Sequence, residues 1–160
     1  MRILIISHDV VGRRMAGPGI RAWHMARVLA SHGTTTLVAP QPIDLSTPGF
    51  VAGDYTWGQA ASLARWRSAA DVVVANGFVL AAHPELASIP QPLALDLYDP
   101  VLLENLEQMR TAAPEARISQ ASADRQLLAR QLAAGDFFLC ATERQRDLYL
   151  RALMLAGRLT

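Results

Sequence analysis

Cysteine is nearly absent: Cys140 is the single one among 160 residues, so no disulfide can form within the chain. A lone thiol suits a reducing compartment, and the reading is of a cytoplasmic protein. Charge of one sign is lacking too. Fifteen basic side chains stand against 14 acidic ones, for a net charge of +1. Nucleic-acid binders concentrate basic side chains on one face, so this near-cancellation argues against a nucleic-acid partner. Long hydrophobic runs are missing. Ile3-Leu4-Ile5-Ile6 spans only four residues, whereas a signal-peptide core needs about 7–15 and a membrane span about 20. Val72 to Ala75 and Phe137 to Ala141 are also too short. Neither a repeat nor a low-complexity tail is visible, and no G-x-x-x-x-G-K-[ST] run exists, which excludes a P-loop nucleotide site. Aromatics are sparse at 6%. Trp23, Trp57 and Trp66 are too dispersed for a cage and read as core or domain-contact residues.

What is present is ordinary globular material, 51% hydrophobic and 18% charged. A chain of this size buries about 70% of its unfolded surface, enough for one domain with a full core. Short apolar runs alternate with longer amphipathic ones. Strands are expected at Ile3 to Ile6, Thr35 to Ala39, Asp71 to Ala75, Leu93 to Asp96 and Phe137 to Ala141. The third, Asp71-Val72-Val73-Val74-Ala75, is β-branched and continuously apolar, as in parallel strands buried on both faces. Helices are expected from about Ile20 to His32, where Ala22, Met25, Ala26 and Leu29 share one face, and over Gln59 to Ala69 and Val79 to Ser88. Further helices are expected over Pro100 to Ala112, Ser119 to Ala134 and Thr142 to Gly157, with Pro114 as a break. Gln41 to Gly58 reads as a long loop. Strands alternating with helices imply a single α/β domain, a Rossmann-like doubly wound parallel sheet. Ligands in such sheets bind at the carboxyl ends of the strands.

The loops at those ends carry the candidates. Gly17-Pro18-Gly19 precedes the first helix, whose N-terminal N–H groups attract anions. Arg13, Arg14 and Arg21 add positive charge, and the alternative is an entry turn that needs glycine. Gly17 to Ala22 formally matches G-x-G-x-x-A. However, about ten residues separate it from the strand, and Ala39-Pro40-Gln41-Pro42 offers no acid for a ribose, so a nicotinamide site is rejected. The fourth strand exits through Asp96-Leu97-Tyr98-Asp99-Pro100. Asp99 could cap the next helix. A buried Asp96 needs donors, for which neighbouring loop N–H groups are the simple source. His8 closes the first strand and has the best claim to a site among the four histidines, with a structural role as the alternative. His24 and His32 are two turns apart without a carboxylate between them, and His32 reads as a surface residue. No residue set has metal-ligand spacing and no Ser-His-Asp arrangement follows from spacing. Cys140 reads as a small core residue. Thr142 and Gln145 have capping-box spacing.

Taken in order, these pieces resemble the N-terminal domain of family 4 retaining glycosyltransferases, which have the GT-B fold. The matching segments are Gly17-Pro18-Gly19-Ile20-Arg21-Ala22-Trp23-His24-Met25-Ala26, Asp71 to Gly77, Leu95 to Pro100 with Glu104 beyond, and Ala141 to Asp147. The resemblance implies an acceptor-side domain, with a nucleotide sugar as donor and a carbohydrate or lipid-linked acceptor. It needs no cofactor and no metal. Gly17 and Gly19 would contact the donor diphosphate through backbone N–H groups. His8, Asn76, Asp96, Tyr98, Asp99 and Thr142 would line the acceptor cleft.

The family's basic pair and Glu-x7-Glu element belong to a C-terminal domain, which would be missing here and would act as partner. Residues 1–160 alone are therefore expected to transfer no sugar. A location at the inner face of the membrane, through peripheral contact, fits relatives with lipid-linked acceptors; Arg13 and Arg14 also suit a solvated loop. Two other readings stay open, a non-enzymatic Rossmann-like binding module and another GT-B-like enzyme such as a sugar-nucleotide epimerase. The transferase reading further implies an exposed apolar face at the strand carboxyl ends, where a second domain would sit.

Overall fold

Strands rich in aliphatic residues, each followed by an amphipathic helix, assemble into one six-stranded parallel sheet in a computed structural model that describes residues 1–47 and 49–159. The strands are β1 (Arg2–Ile6), β2 (Thr34–Ala39), β3 (Val51–Asp54), β4 (Val72–Asn76), β5 (Leu93–Asp96) and β6 (Phe137–Leu139). The helices are α1 (Gly17–Leu29), α2 (Ala60–Arg67), α3 (Val79–Ala82), α4 (Val101–Gln108), α5 (Pro114–Ala134) and α6 (Glu143–Leu155), with a 3₁₀ turn over Pro84–Ser88. Strand order is β3-β2-β1-β4-β5-β6. The chain winds outward one way from β1 and then the other way from β4, so the order reverses between them. That reversal opens a crevice at the carboxyl ends of β1 and β4.

Successive side chains of each strand point to opposite faces. Leu4, Ile6, Val73, Ala75, Leu93 and Leu95 look to one face, where Leu63 of α2, Val79 of α3, Leu132 of α5 and Leu153 of α6 close over them. Ile3, Ile5, Leu37 and Val74 look to the other face, where Ala22 and Ala26 of α1 pack. The four helices on the first face make the deeper core. On the second face α1 covers β1 and β2, whereas Val72, Val74, Ala94 and Leu139 floor an open apolar concavity beside it. Phe137 at its rim is 63% exposed. Apolar side chains are thus exposed on a sheet face and also toward the strand carboxyl ends, where Leu103 and Leu106 of α4, Leu148 of α6 and Trp57 lie.

Several boundaries differ from the sequence reading. The segment expected as a loop over Gln41 to Gly58 contains β3, an edge strand on β2. Val51-Ala52-Gly53-Asp54 has one β-branched residue and so little strand propensity. Gly53 is there for room, since a Cβ would enter the Trp66 ring. Helix α1 starts at Gly17 rather than Ile20, and α5 starts at Pro114 rather than Ser119, so Pro114 parts the two helices by opening the second. The expected helix over Val79 to Ser88 is divided at His83, whose backbone is not helical. Cys140 follows β6, half-buried against the main core. Trp66 packs on the same core, Trp23 stacks edge-on with Phe50, and Trp57 is exposed. Among the described residues no helix is long and apolar enough to cross a membrane.

Candidate functional site

The crevice is built from four chain segments that reach the same sheet edge. Ser7 and His8 leave β1, Asn76 ends β4, Asp96 ends β5, and the N-terminus of α1 stands over them. Ile5, Ser7, His8, Pro18, Asn76, Asp96 and Tyr98 line one small recess. The structure therefore brings together His8, Asn76, Asp96 and Tyr98. Asp99 and Asn76 line the neighbouring, larger cavity.

Asp96 is 5% exposed, and a buried carboxylate must be satisfied. The donors are not loop N–H groups, as the sequence suggested. Arg21, one turn into α1, reaches across: Nε donates to Oδ2 at 2.6 Å and Nη2 to Oδ1 at 2.9 Å. This fork-on-fork pairing is the strong geometry for guanidinium and carboxylate. The Arg21 Cζ also lies 4.8 Å from the centre of the Tyr98 ring. Arg21 is thereby committed to the protein, which removes it from the cations available to an anion at the helix end.

His8 is half-buried, its ring 5.3 Å from that of Phe78. Its Nδ1 is buried and has no hydrogen-bond partner among the described residues. Burial lowers its pKa, against the opposing pull of Asp9, Asp99 and Asp96. Asn76 accepts a hydrogen bond from the Phe78 N–H at 3.0 Å, fixing the turn at the exit of β4. Gly77 leaves room there, since a Cβ would meet Gln131 Nε2 at 2.5 Å and Leu97 Cδ2 at 2.9 Å.

Asp99 does not cap α4. Pro100 holds the N-cap position and no side chain caps that helix. Burial raises the Asp99 pKa above the ordinary carboxylate value, while the Tyr98 hydroxyl and His8 pull it down. Burial likewise raises the Tyr98 phenol, helped by Asp99. A carboxyl raised in the folded state is disfavoured as an anion there. Its cost is absent below the ordinary carboxylate pKa and grows as pH rises above it. Asp99→Asn is therefore expected to raise the thermal midpoint at pH 7, with the gain vanishing below about pH 4. Thermal unfolding of both proteins across that range checks it; an equal gain at both ends would refute it.

Thr142 is exposed and serves α6 rather than the crevice. Its hydroxyl accepts from the Gln145 N–H at 3.2 Å, as the spacing implied. The reciprocal bond is shifted by one residue, because Gln145 Oε1 accepts from the N–H of Ala141 at 2.7 Å. Gln145 Nε2 then donates to the Tyr98 carbonyl at 2.7 Å and so ties α6 to the β5 exit. That second role is not visible in spacing.

The two glycines of the first loop differ. Both belong to the first turn of α1, whose N–H groups lack intrahelical partners. Its N-cap Ala16 gives no side-chain bond and no acidic residue lies in the first turn. A Cβ on Gly17 would meet nothing within 4 Å. A Cβ on Gly19 would run into the Val10 carbonyl oxygen. Gly17 faces open space and Gly19 is a packing residue.

His83 was not singled out by the sequence. It is fully buried, accepts at Nε2 from the Gly58 N–H at 3.1 Å, and pairs at Nδ1 with Glu85 at 3.0 Å. This fixes the loop after β3 beneath Trp57. Among the described residues no three His, Cys, Asp or Glu side chains converge as metal ligands would.

No family model matches the chain, and no curated protein matches it in sequence. Among solved structures, sucrose-phosphate synthase from Thermosynechococcus elongatus superposes with a TM-score of 0.64 at 14% identity, covering 94% of this chain and 44% of that one. A putative exported protein from Burkholderia pseudomallei gives a TM-score of 0.45 at 15% identity, over 86% of this chain and 69% of that one. The chain thus spans less than half the length of the synthase it matches. At such identity the likeness is one of fold alone: a Rossmann-type α/β domain.

Proposed function

We propose that residues 1–160 form the acceptor-side domain of a GT-B glycosyltransferase of the family 4, retaining type. It would act in the cytoplasm with a donor-binding domain as its partner, and transfer sugar from a nucleotide sugar to a carbohydrate or lipid-linked acceptor. The observation that carries this reading is the switch-point crevice, where an uncapped helix N-terminus open at Gly17 adjoins His8, Asn76, Asp96 and Tyr98. The glycosyltransferase-like fold supports it.

In this reading the diphosphate rests on the first-turn N–H groups of α1, which carry partial positive charge. Preorganised donors of this kind stabilise charge as it develops on the leaving group. Arg21 stiffens the floor by holding Asp96. The unpartnered His8 Nδ1 and the Asn76 and Asp99 side chains orient the acceptor hydroxyls. A second domain closing on the crevice would exclude water and limit hydrolysis. The 160 residues alone transfer no sugar.

The test uses this chain with UDP, GDP and ADP in turn, followed by amide NMR. One of them is expected to shift Gly17 and Gly19, with no transfer from the matching nucleotide glucose. Shifts confined to other surfaces, or real turnover, would sink the proposal. Gly17→Ala sharpens it. The added Cβ meets no protein atom, so stability should change by less than about 0.5 kcal/mol. The same methyl stands where the diphosphate approaches, and affinity should fall about tenfold, which is about 1.4 kcal/mol. Unchanged affinity would place the nucleotide elsewhere.

A further inference from the structure

Well-packed interiors leave few voids larger than a water molecule. This chain has a cavity of about 200 Å³ where α4, α5 and α6 meet the carboxyl ends of β4 and β5. One end is polar, with Asn76 and Asp99 at the strand exits. The other is apolar, walled by Leu97, Leu102, Leu127, Leu148 and Tyr149. Burial lifts the Tyr149 phenol to about 12, so it stays neutral. Helix α4 lies over the cavity without a single fully buried residue and so covers it without sealing it.

Between the two ends sits Gln131. It is 5% exposed, lines the cavity, and its amide lies against Gly77. The nearby Asp124 carboxylate is taken up by Asn105 and Gln120, and the Gln131 side chain forms no hydrogen bond among the described residues.

We propose that this cavity holds the apolar aglycone of the acceptor, with the Gln131 amide hydrogen-bonding the oxygen that joins aglycone to sugar. A cavity of about 150 Å³ accepts benzene, so this one suits an apolar group of about six to eight carbons. A free sugar leaves the leucine-walled end empty. A plain hydrocarbon makes no use of the polar end formed by Gln131, Asn76 and Asp99. An amphipathic glycoside satisfies both ends. The sugar half of this inference rests on the transferase reading; the apolar half rests on the cavity alone.

The experiment is a titration of the chain, labelled at Leu and Val methyls, with phenyl β-D-glucopyranoside and, in parallel, methyl β-D-glucopyranoside. The phenyl glucoside is expected to shift the methyls of Leu97, Leu127 and Leu148 and to bind about tenfold more tightly or better. Gln131→Leu should weaken it about fivefold while the chain stays folded. Leu148→Trp, at the cavity rim, should block it while the chain stays folded. Equal affinity for the two glucosides overturns the proposal, as do shifts that survive Leu148→Trp. Benzene binding as tightly as the phenyl glucoside, with no effect of Gln131→Leu, would show a packing void and also overturn it. No donor or turnover enters these measurements. The cavity can therefore fail while nucleotide binding at Gly17 stands, and the reverse.

Discussion

Arg21→Ala is expected to cost the chain about 3 kcal/mol of stability. The loss comes less from the missing attraction than from what is left behind. Asp96 remains 5% exposed at the sheet's carboxyl edge with its only side-chain donors among the described residues gone. Breaking a buried pair on one side costs about 3–5 kcal/mol. The lower end applies because the Arg21 side chain is itself 31% exposed. For a domain of this size the thermal midpoint should drop by about 6–12 °C, and the urea midpoint should fall with an unchanged slope. Asp96→Asn should cost less, since a neutral amide is cheaper to bury than a carboxylate. Removing both charges, as in Arg21→Met with Asp96→Leu, should recover much of the loss. A loss below about 0.5 kcal/mol for Arg21→Ala would mean that water satisfies Asp96 and that the crevice floor is soft.

That pair also shows where sequence reading stops. Asp96 was legible as a polar residue closing an apolar strand, and the need for donors followed at once. Its partner lies 75 residues away in the chain, on a helix whose arginine read equally well as a free cation for a phosphate. Periodicity places Arg21 on α1 but not across the sheet edge. The parallel sheet itself was readable because β1, β4 and β5 are written as short, nearly unbroken aliphatic runs, the pattern of parallel strands. Strand β3 was not, because half of it faces solvent and Gly53 answers to Trp66 rather than to strand propensity. Asp99 had cap chemistry, but Pro100 occupies the capping position. Gln131 and His83 sit in helical surroundings that give no hint of burial beside a void or a loop. The Thr142 cap was local and therefore visible, whereas the bond from Gln145 to Tyr98 spans 47 residues and was not.

Gly19→Ala is the second large loss, and it separates two glycines that look alike in sequence. The new Cβ would approach the Met15 Cβ to 2.8 Å and run into the Val10 carbonyl oxygen. Neither can rotate aside, as a flexible side-chain end could. Either the loop between β1 and α1 or the start of α1 must move. Overpacking of this kind costs about 1–3 kcal/mol or more, while alanine in place of glycine returns up to about 1 kcal/mol of helix propensity. The net loss should be about 2 kcal/mol, against almost none for Gly17→Ala. Movement of α1 would also carry Arg21 away from Asp96. Gly19→Ala and Arg21→Ala should then be less than additive in a double-mutant cycle, since the first has already strained the pair the second removes. Additive losses would show that the loop, not the helix, absorbs the strain. In that case the ion pair and the free N–H groups of α1 are held independently, and the crevice keeps its shape when its entry loop is deformed.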